Sequence, residues 1–373
     1  MASNVIDDDD DDYHDNRPRR LGFQEAMAMT ALPSASGSSA RRFVSRRPAW
    51  KPGNELPWDS LFKNLDGPPV PRHSSAGAYG GHVYAQAPLA AARVVEDEGR
   101  GKLGIHTIQG VFTSPGLIDR PFIYDVSPIF SGRSFFACLV KARQPTEASK
   151  RPRGPFSPPD SDSALGHVCF SCITTFKRSV PTPDDLQETP SVQERFADLL
   201  SSRRPDQWEA SPQVDLDMVR DLFPDAGPGG FPILDMHKVD MTEYNASRPV
   251  TDRLQLVYYR LLKPLPAEDV NAHIVCHAFE ADRNGLIMLA NHIGYGKNNL
   301  AKGVSLTYSF YMHVNAEEAV MRADGWWLQE VRWPRVSAGR CMMESKLWGP
   351  DGRHVASGYQ DSIVLPRERK ARL

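Results

Sequence analysis

The stretch GGHVYAQAPLAAARVVEDEG, residues 80–99, begins the pattern that decides the fold. Mostly apolar or small residues, Val83, Ala87, Ala90 and Val94, recur in it at helical spacing together with Gln86. Because alanine lets neighbouring elements approach closely, this segment predicts a helix around which strands can wrap.

Four runs rich in β-branched and aromatic residues follow this helix, which predicts an antiparallel meander. They are HTIQGVFTS (106–114), FIYDVSPIF (122–130), SFFACLVKAR (134–143) and GHVCFSCITTF (166–176).

A second block repeats this order, with a helix predicted to begin near Asp282. Its strand-like runs are VSLTYSFYMHV (304–314), WWLQEVRW (326–333), GRCMMESKLW (339–348) and HVASGYQDSIVL (354–365). Two local matches support a duplication, because Ser131-Gly132-Arg133 parallels Ala338-Gly339-Arg340 and His167-Val168 parallels His354-Val355. The sequence therefore predicts an α+β fold in which a helix packed on a curled sheet occurs twice.

The 373 residues divide by composition into five predicted segments. Six consecutive aspartates and Ser/Ala/Arg-rich text predict a disordered N-terminal tail, and Pro-rich text predicts a linker between the two blocks. The segments are a tail (1–50), a first domain (51–178), a linker (179–240), a second domain (241–366) and a C-terminal tail (367–373).

Composition argues against several classes of function. The net charge of −2 gives no sign of nucleic-acid binding, and no apolar run reaches the ~18 residues of a membrane span. Five cysteines without framework spacing suit a reducing compartment, and Cys169 and Cys172 are three apart on a predicted strand, so no metal site is expected. Residues 99–104 match GxGxxG but follow a helix, the reverse of the dinucleotide context, so no cofactor is expected.

Several stretches of both blocks resemble the acyl-CoA thioesterase II (TesB-like) enzymes, bacterial and peroxisomal, which have a double hot-dog fold. The matching text covers roughly residues 50–180 and 240–366. It comprises GGHVYAQA (80–87), HTIQGVFTSPG (106–116), RPFIYDV (120–126), PAEDVNAHIVCHAFEADRNGL (266–286) and DGRHVASGYQDSIV (351–364).

The resemblance implies three catalytic residues in the second block: an aspartate at the start of a helix, a hydroxyl on the next strand and a glutamine on the last strand. These positions fall on Asp282, Ser305 and Gln360. In the family they hold a water against the thioester carbonyl. The chain departs from its relatives at Thr307, where an acidic residue is common.

Each of these residues also has a simpler interpretation. Asp282 could cap a helix N-terminus, where the helix dipole would also favour its ionised form. Ser305 could belong to a solvent-facing strand side shared with Thr307 and Ser309. Matching the two His-Val pairs makes Ile173 the equivalent of Gln360. We therefore expect the first block to lack the polar site residues of the second.

The first block supplies only weaker candidates, which we expect to bind substrate rather than to react. His106 occupies a strand position often noted in the family, although a histidine there is more often part of a core. Gly80 and Gly81 are the rough counterparts of Asp282.

The function implied by the resemblance is hydrolysis of acyl-CoA to a carboxylic acid and coenzyme A, within fatty-acid and lipid metabolism. Two alternatives stay open: enoyl-CoA hydration, for which Asp282 lacks a histidine because His277 is expected in the preceding strand, and non-catalytic acyl-CoA binding. The expected partner is acyl-CoA, without nucleic acid or a membrane span, and the resemblance implies a homo-oligomer. The C-terminal Ala371-Arg372-Leu373 fits a peroxisomal address, with a cytoplasmic location as the alternative.

Overall fold

A computed structural model describes residues 19–34, 40–58, 77–99, 102–297 and 299–367. The aspartate run of the predicted N-terminal tail and the C-terminal tripeptide 371–373 lie outside the described residues. None of the helices described is long and apolar enough to cross a membrane.

The helices of the described chain include two long ones that correspond to the two blocks, α2 and α7. In chain order the helices are α1 (Phe23–Ala26), α2 (Gly80–Asp97), α3 (Val192–Arg195), α4 (Ala197–Ser201), α5 (Asp217–Leu222), α6 (Thr242–Asn245), α7 (Val270–Ala281) and α8 (Gly285–His292).

The strands form one antiparallel sheet whose order is β1-β2-β4-β5-β6-β3-β10-β13-β12-β11-β9-β8-β7. Their bounds are β1 (Met29–Leu32), β2 (Arg41–Ser45), β3 (Leu103–Phe112), β4 (Ile123–Ser131), β5 (Phe135–Pro145), β6 (Leu165–Arg178), β7 (Glu209–Ala210), β8 (Leu234–Lys238), β9 (Leu254–Leu261), β10 (Leu300–Met312), β11 (Trp327–Ser337), β12 (Arg340–Trp348) and β13 (His354–Pro366).

The predicted duplication is visible in this order. In the first half the sequence β4-β5-β6-β3 leads to the centre of the sheet, and β10-β13-β12-β11 leads away from it in the second. The halves join where β3 pairs antiparallel with β10, for example Tyr308 with Gly110. The α+β architecture of two helix-plus-sheet repeats is confirmed.

The two central helices pack against each other inside a single core that spans both halves. Many of the buried residues are alanines, which permit close approach of the helices: Ala85, Ala87, Ala90, Ala91 and Ala92 of α2, and Ala272, Ala278 and Ala281 of α7. The same core contains Phe136 and Phe176 of the first half and Phe279 and Phe310 of the second. The active-site candidates therefore lie on elements that are fixed by shared packing.

The helix α8 forms a smaller apolar cluster that belongs to the second half alone. Leu286, Met288 and Leu289 pack there with side chains of β11, β12 and β13, and the Trp333 indole N–H donates to the Gly285 carbonyl at 3.0 Å. In the first half only residues 98–102 separate α2 from β3, which leaves no length for an equivalent helix.

The prediction that residues 1–50 are disordered is wrong for 19–34 and 40–50. The strand β2 pairs with β4 just as β9 pairs with β11, and Phe43 and Val44 on β2 are buried. The duplication thus begins before the predicted boundary at residue 51. Short strands between arginine-rich and proline-rich text gave too little periodicity to be recognised.

The predicted linker, 179–240, is also more structured than expected. It contains α3, α4, α5, β7 and β8, and the last two extend the sheet beside β9. Val192 and Trp208 pack in a second apolar cluster with Leu256 and Trp348. The segment is consequently a packed part of the second half rather than a surface connection.

Candidate active site

Asp282 follows the C-terminal end of α7, where it is the capping residue. A helix does begin near Asp282, since α8 starts at Gly285, but the central helix of the second half is α7, which precedes Asp282. The expectation that the residues before Asp282 form a strand is wrong. Residues 270–281 are rich in apolar side chains, and such a run does not distinguish a buried strand from a buried helix. The chain then turns through Asn284, in the left-handed region at φ 56°, before α8 begins at Gly285.

The positive helix end that faces Asp282 comes from the other half of the molecule. The Gly81 backbone N–H, in the first turn of α2, donates to Asp282 Oδ2 at 2.6 Å. The dipole argument therefore holds for α2 and not for the helix that carries the aspartate.

Glycines 80 and 81 are required for this approach. A Cβ at Gly80 would lie 3.0 Å from Asp282 Oδ2, and one at Gly81 would lie 2.5 Å from the Tyr79 ring. These glycines, predicted as weak substrate-binding residues, lie at the site, where Gly81 binds the carboxylate of Asp282.

Gln360 links Asp282 to Ser305. Its side-chain amide nitrogen donates one hydrogen bond to Asp282 Oδ1 at 2.8 Å and another to Ser305 Oγ. Gln360 is fully buried on β13, opposite Tyr308 of β10. The structure thus brings together the three residues that the sequence singled out, from one helix end and two adjacent strands.

Ser305 reaches the site because the strand is irregular. A β-bulge between Ser305 and Thr307 shifts the pairing of β10 with β13. Thr307 and Ser309 keep to the other face, where the Ser309 hydroxyl donates to Gln109 Oε1 at 2.6 Å. The expectation that Ser305 shares a face with Thr307 and Ser309 is wrong, because a bulge breaks the alternation of side chains.

The counterpart of Gln360 in the first half is Thr174 rather than Ile173. The bulge in β3 lies between Ile105 and Thr107, and aligning it with the bulge in β10 shifts the match by one residue. Thr174 is fully buried, whereas Ile173 is 43% exposed. A one-residue slip reverses the face of a strand, so the sequence match selected a residue on the wrong face.

The electrostatic setting of Asp282 suits a base that works near neutral pH. Burial raises the pKa of its carboxyl from 3.8 to about 7, against the opposing effects of the Gly81 N–H, the Gln360 amide and the Arg283 charge. Gln360 Oε1 and the buried Tyr308 hydroxyl have no hydrogen-bond partner among the described residues. The site therefore retains polar groups that protein contacts do not satisfy.

Arg283, next to the aspartate, was not singled out by the sequence. It is almost fully buried between the rings of Trp50, at 4.8 Å, and Phe231, at 4.2 Å. Its guanidinium donates to the carbonyl oxygens of Pro212 at 2.6 Å and Gln213 at 3.1 Å. Burial lowers the pKa of Arg283 to about 10. These contacts fix the turn that positions Asp282. The sequence did not reveal them, because the residues that contact Arg283 lie far from it along the chain.

His106 is not brought to the Asp282 cluster. It lies at the β3 bulge, 3.4 Å from the Thr175 hydroxyl, and lines a different cleft of about 560 Å³ together with Ser309, Tyr311, His313 and Tyr359. Burial and the nearby Lys177 lower the pKa of its imidazole. His106 thus belongs to the outer side of the junction between the halves.

Within the described residues, no group of three or more His, Cys, Asp or Glu side chains could hold a metal ion. All five cysteines are buried and unpaired. Cys169 and Cys172 have separate partners, the Ala142 carbonyl and the Thr174 hydroxyl.

The comparisons with known proteins agree with this architecture. Residues 217–364 match the family model of the acyl-CoA thioesterase C-terminal domain. No curated protein matches the chain.

Among solved structures, the acyl-CoA thioesterase II TesB2 of Mycobacterium marinum is 18% identical, covering 93% of this chain and 99% of its own, with a TM-score of 0.58. The tesB protein of Mycobacterium avium subs paratuberculosis is 15% identical, with coverages of 92% and 98% and a TM-score of 0.53.

A hot-dog-fold protein of unknown function from Alicyclobacillus acidocaldarius is 15% identical, with coverages of 92% and 97% and a TM-score of 0.54. At these identities the solved structures show the fold, and the family model shows the similarity of residues 217–364. The chain thus has the double hot-dog fold of the TesB structures, and its residues 217–364 are similar to the acyl-CoA thioesterase C-terminal domain.

Proposed function

We propose that the protein hydrolyses acyl-CoA thioesters to a carboxylic acid and coenzyme A. The observation that carries the proposal is the hydrogen-bonded set of Asp282, Gln360 and Ser305, in which the pKa of the Asp282 carboxyl is about 7. A group with such a pKa is largely ionised at slightly alkaline pH and is still basic enough to accept a proton.

In the proposed reaction Asp282 accepts a proton from a water molecule as the water oxygen attacks the thioester carbonyl carbon. A C–O bond forms, and the carbonyl electrons move onto oxygen to give a tetrahedral intermediate. When the intermediate collapses the C–S bond breaks, and the thiolate of coenzyme A takes the proton back from Asp282. No acyl-enzyme is formed.

Gln360 and Ser305 would position the water rather than exchange its proton. Gln360 uses its amide nitrogen on Asp282 and Ser305, which leaves its Oε1 able to accept a hydrogen bond from the water. Fixing the water in this way supplies the orientation on which the attack depends. The N-terminal end of α2 would stabilise the oxyanion of the intermediate.

The alternative of enoyl-CoA hydration is disfavoured by the surroundings of His277. This histidine lies within α7, not in a preceding strand as expected. Its two ring nitrogens are engaged by the Tyr259 hydroxyl at 2.9 Å and the Ala319 carbonyl at 2.8 Å. Burial lowers the pKa of His277 to about 4. It is therefore a satisfied core residue with no contact to Asp282.

A thiol-release assay on a panel of acyl-CoAs of increasing chain length tests the proposal. Gln360→Ala should reduce turnover, and combining it with Asp282→Asn should be little worse than the worse single change, since groups that hold one water act as a unit. Binding of acyl-CoA without thiol release would favour the non-catalytic alternative. Formation of a hydroxyacyl-CoA from an enoyl-CoA would favour hydration.

We further propose a role in fatty-acid metabolism, assembly as a homo-oligomer and a peroxisomal location carried by Ala371-Arg372-Leu373, with the cytoplasm as the alternative. An N-terminal fluorescent fusion should be punctate and become diffuse when the last three residues are deleted. An unchanged distribution after deletion would contradict the address. The sedimentation coefficient of the purified chain tests the oligomer.

A further inference from the structure

The hairpin between β4 and β5 turns at the end of the sheet opposite to Gly81. Its tip, residues 128–135, lies beside the end of β6, whose Arg178 pairs in turn with Leu103 at the start of β3. The last four residues of β4 are exposed on both faces of the ribbon. Ile129 is 56% exposed, Phe130 55% and Phe135 37%, and the rings of Phe130 and Phe135 are 6.2 Å apart. Together they form an apolar tip facing solvent.

The equivalent hairpin of the second half has no such tip. Aligning Ser131-Gly132-Arg133 with Ala338-Gly339-Arg340 places Phe130 at the position of Ser337 and Ile129 at that of Val336. Val336 packs against the cluster built by α8, and the first half has no counterpart of α8. The exposed aromatic pair is thus a difference acquired by one half rather than a shared feature of the repeat.

Basic side chains surround the apolar tip. Phe135 pairs with Lys177 across the β5–β6 ladder, and Arg178 pairs with Leu103 and donates to the Arg133 carbonyl at 3.3 Å. The three strand segments that meet here, 102–105, 127–135 and 176–179, contain Lys102, Arg133, Lys177 and Arg178 and no aspartate or glutamate of their own. One carboxylate from elsewhere, Glu317, accepts a hydrogen bond from the Ser179 hydroxyl at 2.6 Å, so basic groups outnumber it. Apolar side chains inside a collar of positive charge match the surface of an anionic bilayer.

We propose that the β4–β5 hairpin tip docks the protein on an anionic lipid bilayer. Ile129, Phe130 and Phe135 enter the boundary between headgroups and acyl chains, and the basic collar meets the lipid phosphates. The exposed apolar surface is confined to the end of β4 and to Phe135, because the β5 residues opposite, Phe136 and Cys138, are buried. Three side chains at one turn are too few for a standard protein–protein interface, whereas a bilayer admits single side chains. This docking is independent of the hydrolysis proposed for Asp282.

Cosedimentation of the full chain with vesicles tests the docking. The protein should bind vesicles in which phosphatidylserine replaces part of the phosphatidylcholine, bind pure phosphatidylcholine more weakly, and lose the difference at high salt. Ile129→Ser combined with Phe130→Ser should weaken vesicle binding at least ~10-fold, because two large apolar side chains no longer leave water. Arg133→Gln with Lys177→Gln should reduce the preference for anionic vesicles.

Leu186→Ser is the matched control. Leu186 is 96% exposed but lies between Asp185 and Glu188, so its loss should leave vesicle binding unchanged. Melting temperatures and thiol release from a short, soluble acyl-CoA should stay at wild-type values in the tip variants and show that they fold.

Three results would overturn the proposal. The wild-type protein could ignore anionic vesicles, or the Ile129/Phe130 variant could bind them as well as the wild type does. Alternatively, the same variant could convert a dimer into a monomer without changing vesicle affinity, which would assign the tip to a second copy of the chain.

Discussion

Helices α2 and α7 pack against each other, and the two ends of this pair occupy equivalent positions in the duplicated fold. The two ends differ in the charged side chains that they carry. At one end Asp282 follows α7 and accepts a hydrogen bond from the first turn of α2 at Gly81. At the other end Arg93, near the end of α2, meets Asp269 at the start of α7 at 2.8 Å. Because the helices are antiparallel, each end joins the last turn of one helix to the first turn of the other.

The ends also differ in how completely their polar groups are satisfied. Asp269 pairs with Arg93 and caps α7 through the Ala272 N–H at 3.1 Å, and Asn271 exchanges hydrogen bonds with the backbone of Ile105 and Leu103.

At the Asp282 end, Gln360 Oε1, the Tyr308 hydroxyl and both carboxyl oxygens of Glu280 are buried without a partner among the described residues. Burial raises the pKa of Glu280 well above its ordinary value, with Arg283 opposing. Buried polar groups are normally hydrogen-bonded, so the unsatisfied groups at the Asp282 end call for an explanation that the saturated groups at the Asp269 end do not need. The two ends of the helix pair are equivalent in the duplicated fold. At the Asp269 end the charges form an ion pair, whereas at the Asp282 end several buried polar groups have no protein partner among the described residues.

The largest expected effect is on turnover, and it distinguishes Asp282 at one end of the helix pair from Asp269 at the other. Asp282→Asn removes the proposed base but retains the shape of the side chain, so turnover should fall by ~10²–10⁴-fold. Asp269→Asn at the closed end should leave turnover per folded molecule unchanged. Thiol release normalised to folded protein measures both, and equal losses in the two variants would show that the ends do not differ in function.

The next largest effect is on stability, and it distinguishes Arg283 at the Asp282 end from Arg93 at the Asp269 end. Arg283→Met leaves the buried Gln213 carbonyl without its donor and removes one hydrogen bond each from the Pro212 carbonyl, which keeps the Asn284 amide, and from Asn284 Oδ1. It should cost about 3–5 kcal/mol of unfolding free energy. The ion pair of Arg93 is partly exposed, with 36% of its side chain accessible. Arg93→Met should therefore cost only about 0–1 kcal/mol. Urea denaturation gives both values, and similar costs would mean that Arg283 does not anchor the turn.

A third prediction concerns stability and pH. Folding raises the pKa of Asp282 from 3.8 to about 7, so the folded state holds this proton more tightly than the unfolded state. The stability contributed by this proton is fully present below pH 3.8 and is lost as the pH rises through about 7. Asp282→Asn should consequently gain stability relative to wild type over that range, by roughly 1–4 kcal/mol. Melting temperatures at several pH values measure the difference, and a constant difference would contradict the raised pKa.

The smallest effect tests the register between the halves. Ile173 is 43% exposed, so Ile173→Ala should change the unfolding free energy by no more than about 0.5 kcal/mol. Ile105, in the neighbouring strand, is buried, and Ile105→Ala should cost ~2–5 kcal/mol through the cavity it leaves. A large cost at Ile173 would restore it as the inward-facing counterpart of Gln360.

Helix α2 and the four strands of each half could be predicted from the sequence because each carries its own periodicity. Helix α7 could not, because an apolar-rich run does not separate a buried helix from a buried strand. The strand β2 and the packed segment 179–240 could not, since short strands and Pro-rich text acquire structure only from partners far along the chain. Arg283 escaped notice for the same reason, because Trp50 and Phe231 become its neighbours only in the folded molecule.

The positions of Asp282, Ser305 and Gln360 came from the family resemblance, and the structure places them in contact. Their local geometry was beyond the sequence. A bulge turns Ser305 inward, and a one-residue shift in register makes Thr174, not Ile173, the counterpart of Gln360. Both are properties of strand pairing, which composition and spacing do not encode.

The pH dependence of kcat/KM for acyl-CoA hydrolysis tests the proposed role of Asp282 most directly. A base whose pKa is about 7 predicts a rate that rises with pH through that value to a plateau, and residual activity of Asp282→Asn that lacks this rise. A wild-type rate that is flat between about pH 5 and 9, or the same rise in Asp282→Asn, would contradict the assignment of Asp282 as the base.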